Sequence, residues 1–396
     1  MAFPERFSKL PAYAFPRLRA LLDGHAPGAE PIAMSIGEPR HPFPDFVAPA
    51  LAEAIGGLAK YPANEGAPEL LDAIGGAVRR RYGVEIGPER ILALNGTREG
   101  LFTAALALCP EPAGGQRPAV LMPNPFYQVY AAAALAAGAD PVFLPATAAT
   151  GQLPDFDEVP ADILARTALV YLCSPANPQG AVASRDYWSR LLGLAEQYDF
   201  RVIADECYGD IYRDAPPPGI LEVAAADGTD PERVLSFQSL SKRSNVPGLR
   251  SGFVAGGVEC IRRMRQLRAY GGAPLSPPLQ AVSAQLWNDD KHVSENRALY
   301  AEKYAIAEEI LGDVAGVTIP KAGFFLWLPV KDDEDAALRL WREAGIRTLP
   351  GRYLSRAVEG QDPGRGHLRV ALVAPRDEVR QGLTRLRAVL YDGEGT

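Results

Sequence analysis

Cysteine is scarce: 396 residues carry four, at positions 109, 173, 207 and 260, and none forms a C-x-x-C pair. So few scattered thiols exclude a disulfide scaffold and read as a reducing compartment. Histidine is equally sparse. His25, His41, His292 and His367 show no ligand spacing, so no metal site is expected, and no G-x-S-x-G hydrolase elbow occurs. No apolar run reaches the roughly 18 residues of a membrane span; the densest stretch, 131–139, is short and alanine-rich. Residues 1–10 carry Glu5, Arg6 and Lys9 without an apolar core. No signal peptide is therefore expected, and the cytoplasm is the expected location. Excess basic charge is missing too: the formal net charge is −7, which argues against a nucleic-acid partner, since that needs a basic face. Small-molecule chemistry remains.

What is present is an ordinary globular composition, 47% hydrophobic and 22% charged, in a chain long enough for two or three domains. Its 38 glycines and 36 prolines make it rich in turns. Short apolar runs at 91–94, 119–122, 141–144, 168–173, 200–204, 234–237 and 251–255 alternate with stretches of helical composition. Runs such as ALVYLC at 168–173 read as strands buried on both faces. That pattern predicts an α/β fold with a mostly parallel sheet covered by helices. From about Ser276 the character changes. A polar helical stretch at 288–311, a strand at 324–328, a helix at 335–344 and a strand at 367–373 predict a smaller α+β unit. The first forty residues, proline-rich and without period, read as an arm or as part of that smaller unit.

Only seven of the 41 basic residues are lysines. One of them, Lys242, follows a predicted buried strand in F-Q-S-L-S-K. A lysine at a strand end among small hydroxyls suits a Schiff-base nucleophile, which needs partial desolvation to lower its pKa; alone, it also fits a solvated loop. Asp205 and Tyr208 lie in D-E-C-Y at the end of the run at 200–204, where α/β sheets gather ligands; alone, the acid also fits a turn. Asn177 lies in S-P-A-N-P-Q-G after the run at 168–173, a segment that also reads as a plain turn. Arg250 follows Lys242 by eight residues. Three consecutive strand ends thus carry Asn177, Asp205 and Lys242, spaced by 28 and 37 residues.

In that order, S-P-x-N-P-x-G, D-E-x-Y and S-x-S-K-x(7)-R make the chain resemble the fold-type I pyridoxal-phosphate enzymes, the class I and II aminotransferases. The resemblance runs from Gly37 to Arg369. It implies an aspartate aminotransferase-like fold: a large domain with a mostly parallel seven-stranded sheet, plus a smaller α+β domain. The implied division is an arm at 1–40, a cofactor domain at 41–275 and a small domain at 276–396. It also implies the cofactor, pyridoxal 5′-phosphate, and a role for each matching residue. Lys242 matches the lysine that forms the internal aldimine. Asp205 matches the partner of the pyridine nitrogen, needed so that the ring accepts electrons from Cα. Asn177 and Tyr208 match the residues that bond the 3′-oxygen. Tyr127 matches the aromatic stacked on the ring.

The phosphate site reads partly from the residues themselves. N-G-T-R-E-G at 95–100 joins a predicted strand to a helix, and free N–H groups at a helix start attract an anion. The resemblance places the cofactor phosphate there, with Gly96, Thr97 and Arg98 contributing backbone amides and Ser239, Ser241 and Arg250 completing the set. Tyr61 matches a tyrosine that reaches the phosphate of a neighbouring subunit, which implies a homodimer. Arg369 matches the arginine that grips the substrate α-carboxylate, a task for a planar bidentate fork. Gly37, in S-I-G-E-P, matches a segment whose backbone meets the same carboxylate.

The implied reaction is a ping-pong amino transfer between amino and 2-oxo acids, with glutamate and 2-oxoglutarate as the expected common pair. The segments G-E-P-R-H-P at 37–42, G-T-R-E-G at 96–100 and P-N-P-F-Y-Q-V-Y at 123–130 look like succinyldiaminopimelate aminotransferases of bacterial lysine synthesis. A long substrate with a distal charge would need an extra cation, for which Arg40 and Arg98 are the candidates. Two other chemistries fit the same cofactor residues: transfer from another amino acid such as aspartate, alanine or an aromatic one, and carbon–sulfur β-elimination. A non-catalytic binding module of this fold would not need the complete set from Asn177 to Arg369.

Overall fold

The computed structural model describes residues 5–8, 10 and 12–392. Residues 1–4, 9, 11 and 393–396, at the outer ends of the expected arm and small domain, lie outside the described residues. Among the described residues no helix is long and apolar enough to cross a membrane.

Among the described residues twelve strands form: β1 (Ile32–Ala33), β2 (Ile91–Leu94), β3 (Ala119–Asn124), β4 (Asp140–Pro145), β5 (Thr167–Cys173), β6 (Arg201–Asp205), β7 (Val234–Ser239), β8 (Gly252–Gly256), β9 (Phe325–Pro329), β10 (Ile346–Arg347), β11 (Leu349–Pro350) and β12 (His367–Ala371). Seven of them make the large sheet, in the order β2-β8-β7-β6-β5-β3-β4. All its neighbours pair in parallel except β8, which is antiparallel to both β2 and β7. Every residue of β2, β3, β5, β7 and β8 is buried. This is why the sequence shows continuous apolar runs there and no alternation: helices cover both faces. The fold is thus the α/β, aspartate aminotransferase-like arrangement that the sequence implied.

The sheet's order brings the chemistry together. β5, β6 and β7 are neighbours and run in one direction, with Cys173 opposite Asp205 and Asp205 opposite Phe237. Their carboxyl ends therefore open side by side, and the segments leaving them carry Asn177, Asp205 and Lys242. The helix Thr97–Leu108 is pulled close to the sheet at Gly100. A Cβ there would meet Leu94 Cδ1 at 2.4 Å and Phe237 Cε1 at 2.9 Å. No larger residue would let the helix start sit so near β7.

A second core is built on the antiparallel sheet β11-β12-β9 and on the parallel pair β1-β10, with Ile32 opposite Ile346. Leu326, Leu328, Leu368, Val370 and Leu383 are fully buried within it. The early chain joins this core through β1. The predicted helical stretch at 288–311 is the helix Lys291–Leu311. A separate helix, Pro277–Asn288, precedes it, with proline in its first turn, a position that needs no N–H. Its Val282, Leu286 and Trp287 belong to the large core, whereas Tyr300 and Tyr304 belong to the second. The expected division at residue 276 therefore runs ahead of a helix that packs with the large sheet.

Candidate active site

A cavity of about 360 Å³ lies at the carboxyl ends of β5, β6 and β7. Lys242 enters it from the one-turn helix Leu240–Arg243, which starts where β7 ends; Ser239 Oγ accepts from the Ser241 N–H at 3.1 Å. The Lys242 amine donates to the Gly37 carbonyl at 2.5 Å. Burial pushes its pKa down to about 8; the Arg369 and Arg250 charges press the same way, while Cys207 and Glu38 oppose. An amine in that range is largely neutral just above pH 8 and able to act as nucleophile or base.

Asp205 ends β6 and is buried. Burial raises its pKa, against hydrogen bonds from Cys207 and Tyr130 and the charge of Lys242. The Tyr130 hydroxyl donates to Asp205 Oδ2 at 2.7 Å, and the Cys207 N–H to Oδ1 at 3.4 Å. Tyr208, one turn on, is buried edge-on to Phe324 and Phe325.

Arg369 reaches the cavity from β12 of the second core. Its Nη1 donates to Asn177 Oδ1 at 2.9 Å and its Nη2 to the Ser35 carbonyl at 2.7 Å. Its Nε is buried and has no hydrogen-bond partner among the described residues. Burial pulls this guanidinium down to about 10. A buried arginine with an idle donor is built to receive a carboxylate.

At the other end, Gly96 turns the chain with φ +76° and Thr97 opens the helix. A Cβ on Gly96 would sit 2.3 Å from Arg250 Nη2, so the bare glycine backbone lies against that guanidinium. Thr97, Ser239, Ser241 and Arg250 all line the cavity. Arg98 Nε donates to the Tyr127 hydroxyl at 2.8 Å, and Arg98 stays exposed at the rim.

These residues fit pyridoxal phosphate. A depressed amine, a buried acid, an aromatic wall, and a helix start with hydroxyls and a guanidinium surround one cavity, and the missing Cβ at Gly96 keeps the anion cradle open. Lys242, Asp205, Asn177, Tyr208, Tyr127, Thr97, Arg98, Ser239, Ser241, Arg250, Arg369 and Gly37 all line the cavity. Three candidates do not: Gly96 lies against Arg250 without lining the cavity, and two lie elsewhere. Arg40 is not among the residues that line this cavity and pairs with Glu378 at 2.9 Å, part-exposed. Tyr61 is fully exposed, away from the cavity of its own chain.

Sequence reasoning missed Tyr130, Cys207, Glu38, Tyr13 and Phe15, all of which line the cavity. Tyr130 carried a usable signal, because it stands three residues after Tyr127 and so shares its helix face. Tyr13 and Phe15 carried none: only the folded arm brings them to the mouth. Among the described residues no group of three or more acidic, thiol or imidazole side chains could hold a metal.

The model of the family "Aminotransferase class I and II" matches residues 29–386. The chain is 32% identical to an LL-diaminopimelate aminotransferase of Desulforudis audaxviator, over 98% of this chain and 99% of that one. It is also 32% identical to one of Syntrophobacter fumaroxidans, over 99% of this chain and 100% of that one. Among solved structures it is similar to an aminotransferase of Neisseria meningitidis, with a TM-score of 0.92 at 39% identity, covering 97% of this chain and 98% of that chain. A probable N-succinyldiaminopimelate aminotransferase of Thermus thermophilus is similar with a TM-score of 0.83 at 28% identity, covering 95% of this chain and 100% of that chain.

Proposed function

The chain belongs to the class I and II aminotransferases, which are pyridoxal-phosphate enzymes, and on that premise we propose that it moves an amino group between N-succinyldiaminopimelate and 2-oxoglutarate. The observation that carries this reading is Arg98. Its guanidinium stands exposed at the cavity rim, held by Tyr127, while Arg40 is neutralised by Glu378 elsewhere. Of the two cations expected for a distal carboxylate, Arg98 is the one that lines the cavity, which supports this reading. The names of the LL-diaminopimelate aminotransferase relatives favour a second reading, the free diamine on the same carbon skeleton. Glu38, at the cavity wall, would then receive the distal ammonium.

The cofactor, when bound, supplies an electron sink for the charge that develops at the substrate Cα. The chain supplies the rest. The backbone amides of Gly96, Thr97 and Arg98, the hydroxyls of Ser239 and Ser241 and the Arg250 guanidinium would hold the phosphate. Asn177 and Tyr208 would hold the 3′-oxygen, Tyr127 the ring face, and Asp205 a proton on the ring nitrogen. Arg369 grips the α-carboxylate, which offsets the cost of burying the guanidinium. Lys242 Nζ, its pKa lowered by burial, would take the proton from the substrate Cα and deliver it to the cofactor carbon that carries the amino group away.

A homodimer belongs to the same reading. Ile55, Leu58 and Tyr61 are exposed in one short stretch, and a second copy covering them would bring Tyr61 towards its partner's phosphate site. All four cysteines are free, which supports a reducing compartment.

The test is a donor panel with 2-oxoglutarate as acceptor, run on the parent and on Arg98→Met. Turnover of the succinylated substrate, with kcat/KM lowered about tenfold or more by Arg98→Met and aspartate turnover unchanged, is expected, since a charge-assisted contact is worth about 1.5–3 kcal/mol. Preference for free LL-diaminopimelate would favour the second reading. Release of ammonia and a thiol without use of a 2-oxo acid would mark a lyase.

A further inference from the structure

We propose that Tyr130 is a positioning residue for amino transfer, whose hydroxyl holds Asp205 ionised and aimed at the cofactor ring nitrogen. The proposal rests on the reading of Asp205 as that nitrogen's partner. It starts from an imbalance at the acid. Asp205 is buried, and a buried carboxyl favours its neutral form. A neutral Asp205 could not keep the ring nitrogen protonated. The titratable groups around it are Tyr130, Cys207, Cys173, Tyr127, Tyr208 and Lys242. The Cys207 thiol also donates to Asp205, as the weak donor that S–H is; Cys173 and the other two phenols are neutral neighbours whose own ionisation Asp205 opposes. The Lys242 charge is intermittent, because the reaction uses that amine. The Cys207 N–H is long, at 3.4 Å.

The short O–H donor to the acid is the Tyr130 hydroxyl, at 2.7 Å. Tyr130 is fully buried, and burial beside a carboxylate pushes its phenol well above the usual range. It therefore stays protonated throughout the working pH range and always donates. Its place is set from two sides. The ring stacks on Tyr171 with centroids 4.7 Å apart and planes at 13°. The Tyr171 hydroxyl donates to the Leu101 carbonyl at 2.7 Å, on the same helix that opens with the phosphate cradle. Tyr130 also meets Tyr127 edge-on at 5.6 Å. One side chain thus links the acid, the aromatic wall and the anion-binding helix.

The experiment measures the affinity of pyridoxamine 5′-phosphate for the unloaded protein between about pH 6 and pH 9. This probe keeps the ring nitrogen but has no aldehyde to link to Lys242, so the lysine's titration does not enter. Tyr130→Phe keeps the ring and removes only the donor. It is expected to weaken binding about tenfold at pH 8, the worth of one hydrogen bond to a charged group. The deficit relative to the parent grows as pH falls, because an Asp205 without its donor takes up a proton at higher pH. Tyr171→Phe, which removes a hydroxyl from the same stack but none from Asp205, keeps parental affinity and slope. A Tyr130→Phe deficit that is absent, or constant with pH, while Asp205→Ala weakens binding, overturns the role of Tyr130 alone. Parental affinity in Asp205→Ala overturns the role of Asp205 and that of Tyr130 with it.

Discussion

Lys242 Nζ donates to the carbonyl of Gly37, a residue 205 positions earlier in the chain. Two residues before that, Ser35 gives its carbonyl to Arg369. Two of the four cations that line the cavity are thus docked on one segment, which leads from β1 into the wall of the site. The amine proposed for the chemistry and the guanidinium proposed for the substrate carboxylate are thus both tied to backbone carbonyls of one segment.

The first consequence concerns pH. Lys242 has a folded-state pKa of about 8, depressed by burial, and only its neutral form attacks an aldehyde. The rate at which unloaded protein captures pyridoxal phosphate is therefore expected to rise with pH through about 8 and then level off. Stopped-flow absorbance checks this. A rate that climbs without a break to pH 10 would mean an amine with the ordinary pKa.

Arg369 shares its donors between Asn177 and Ser35, in a geometry that an ammonium cannot copy. Arg369→Lys is expected to lower kcat/KM by about 100-fold or more for every amino acid with an α-carboxylate, as truncation of a buried charged contact does. Cofactor affinity should stay within a few-fold of the parent. A selective loss for one substrate would place Arg369 on the distal group instead.

How much of this site could be read from the sequence follows from how each part is held. Asn177, Asp205 and Lys242 were legible because each follows a strand buried on both faces, and such strands leave continuous apolar runs. The anion cradle at Gly96 was legible as a strand–turn–helix junction. The Tyr130–Asp205 bond was not, since it joins a helix to a strand 75 residues away and either residue alone reads as core. The Arg40–Glu378 pair was not legible either, since it joins residues 338 positions apart. The two-residue strand β1 was below the length at which a pattern is visible.

Tyr61 gives a test of shared sites. Tyr61→Ala and Lys242→Ala are each expected to be weakly active or inactive alone. Mixed and re-associated, they should regain activity, because each mixed dimer holds one site with both defects and one with neither. Mixtures that stay as inactive as the sum of their parts would place Tyr61 outside the partner's site.

Lys303 makes a prediction about stability alone. Its side chain is buried, with no hydrogen-bond partner for Nζ among the described residues, and burial pulls its pKa down to about 7, helped by the Arg40 charge. The unfolded chain holds this proton up to about 10.4. Between about pH 7 and that value the unfolded state binds more protons, so the parent gains stability as pH rises; below pH 7 the full cost is present. Lys303→Met is expected to stabilise the protein by on the order of 2–4 kcal/mol at pH 6 and by progressively less above pH 7. Denaturant melts at both ends of that range decide it. Equal gains at pH 6 and pH 10 would show that the amine is hydrated in the native state.

The most direct test of the whole account is to reduce the pyridoxal-phosphate-loaded enzyme with borohydride and map the labelled peptide by mass spectrometry. The account predicts the phosphopyridoxyl mass on Lys242 alone, and none in Lys242→Ala. Label on another lysine, with Lys303 the obvious rival for a depressed amine, and undiminished labelling of Lys242→Ala would contradict it.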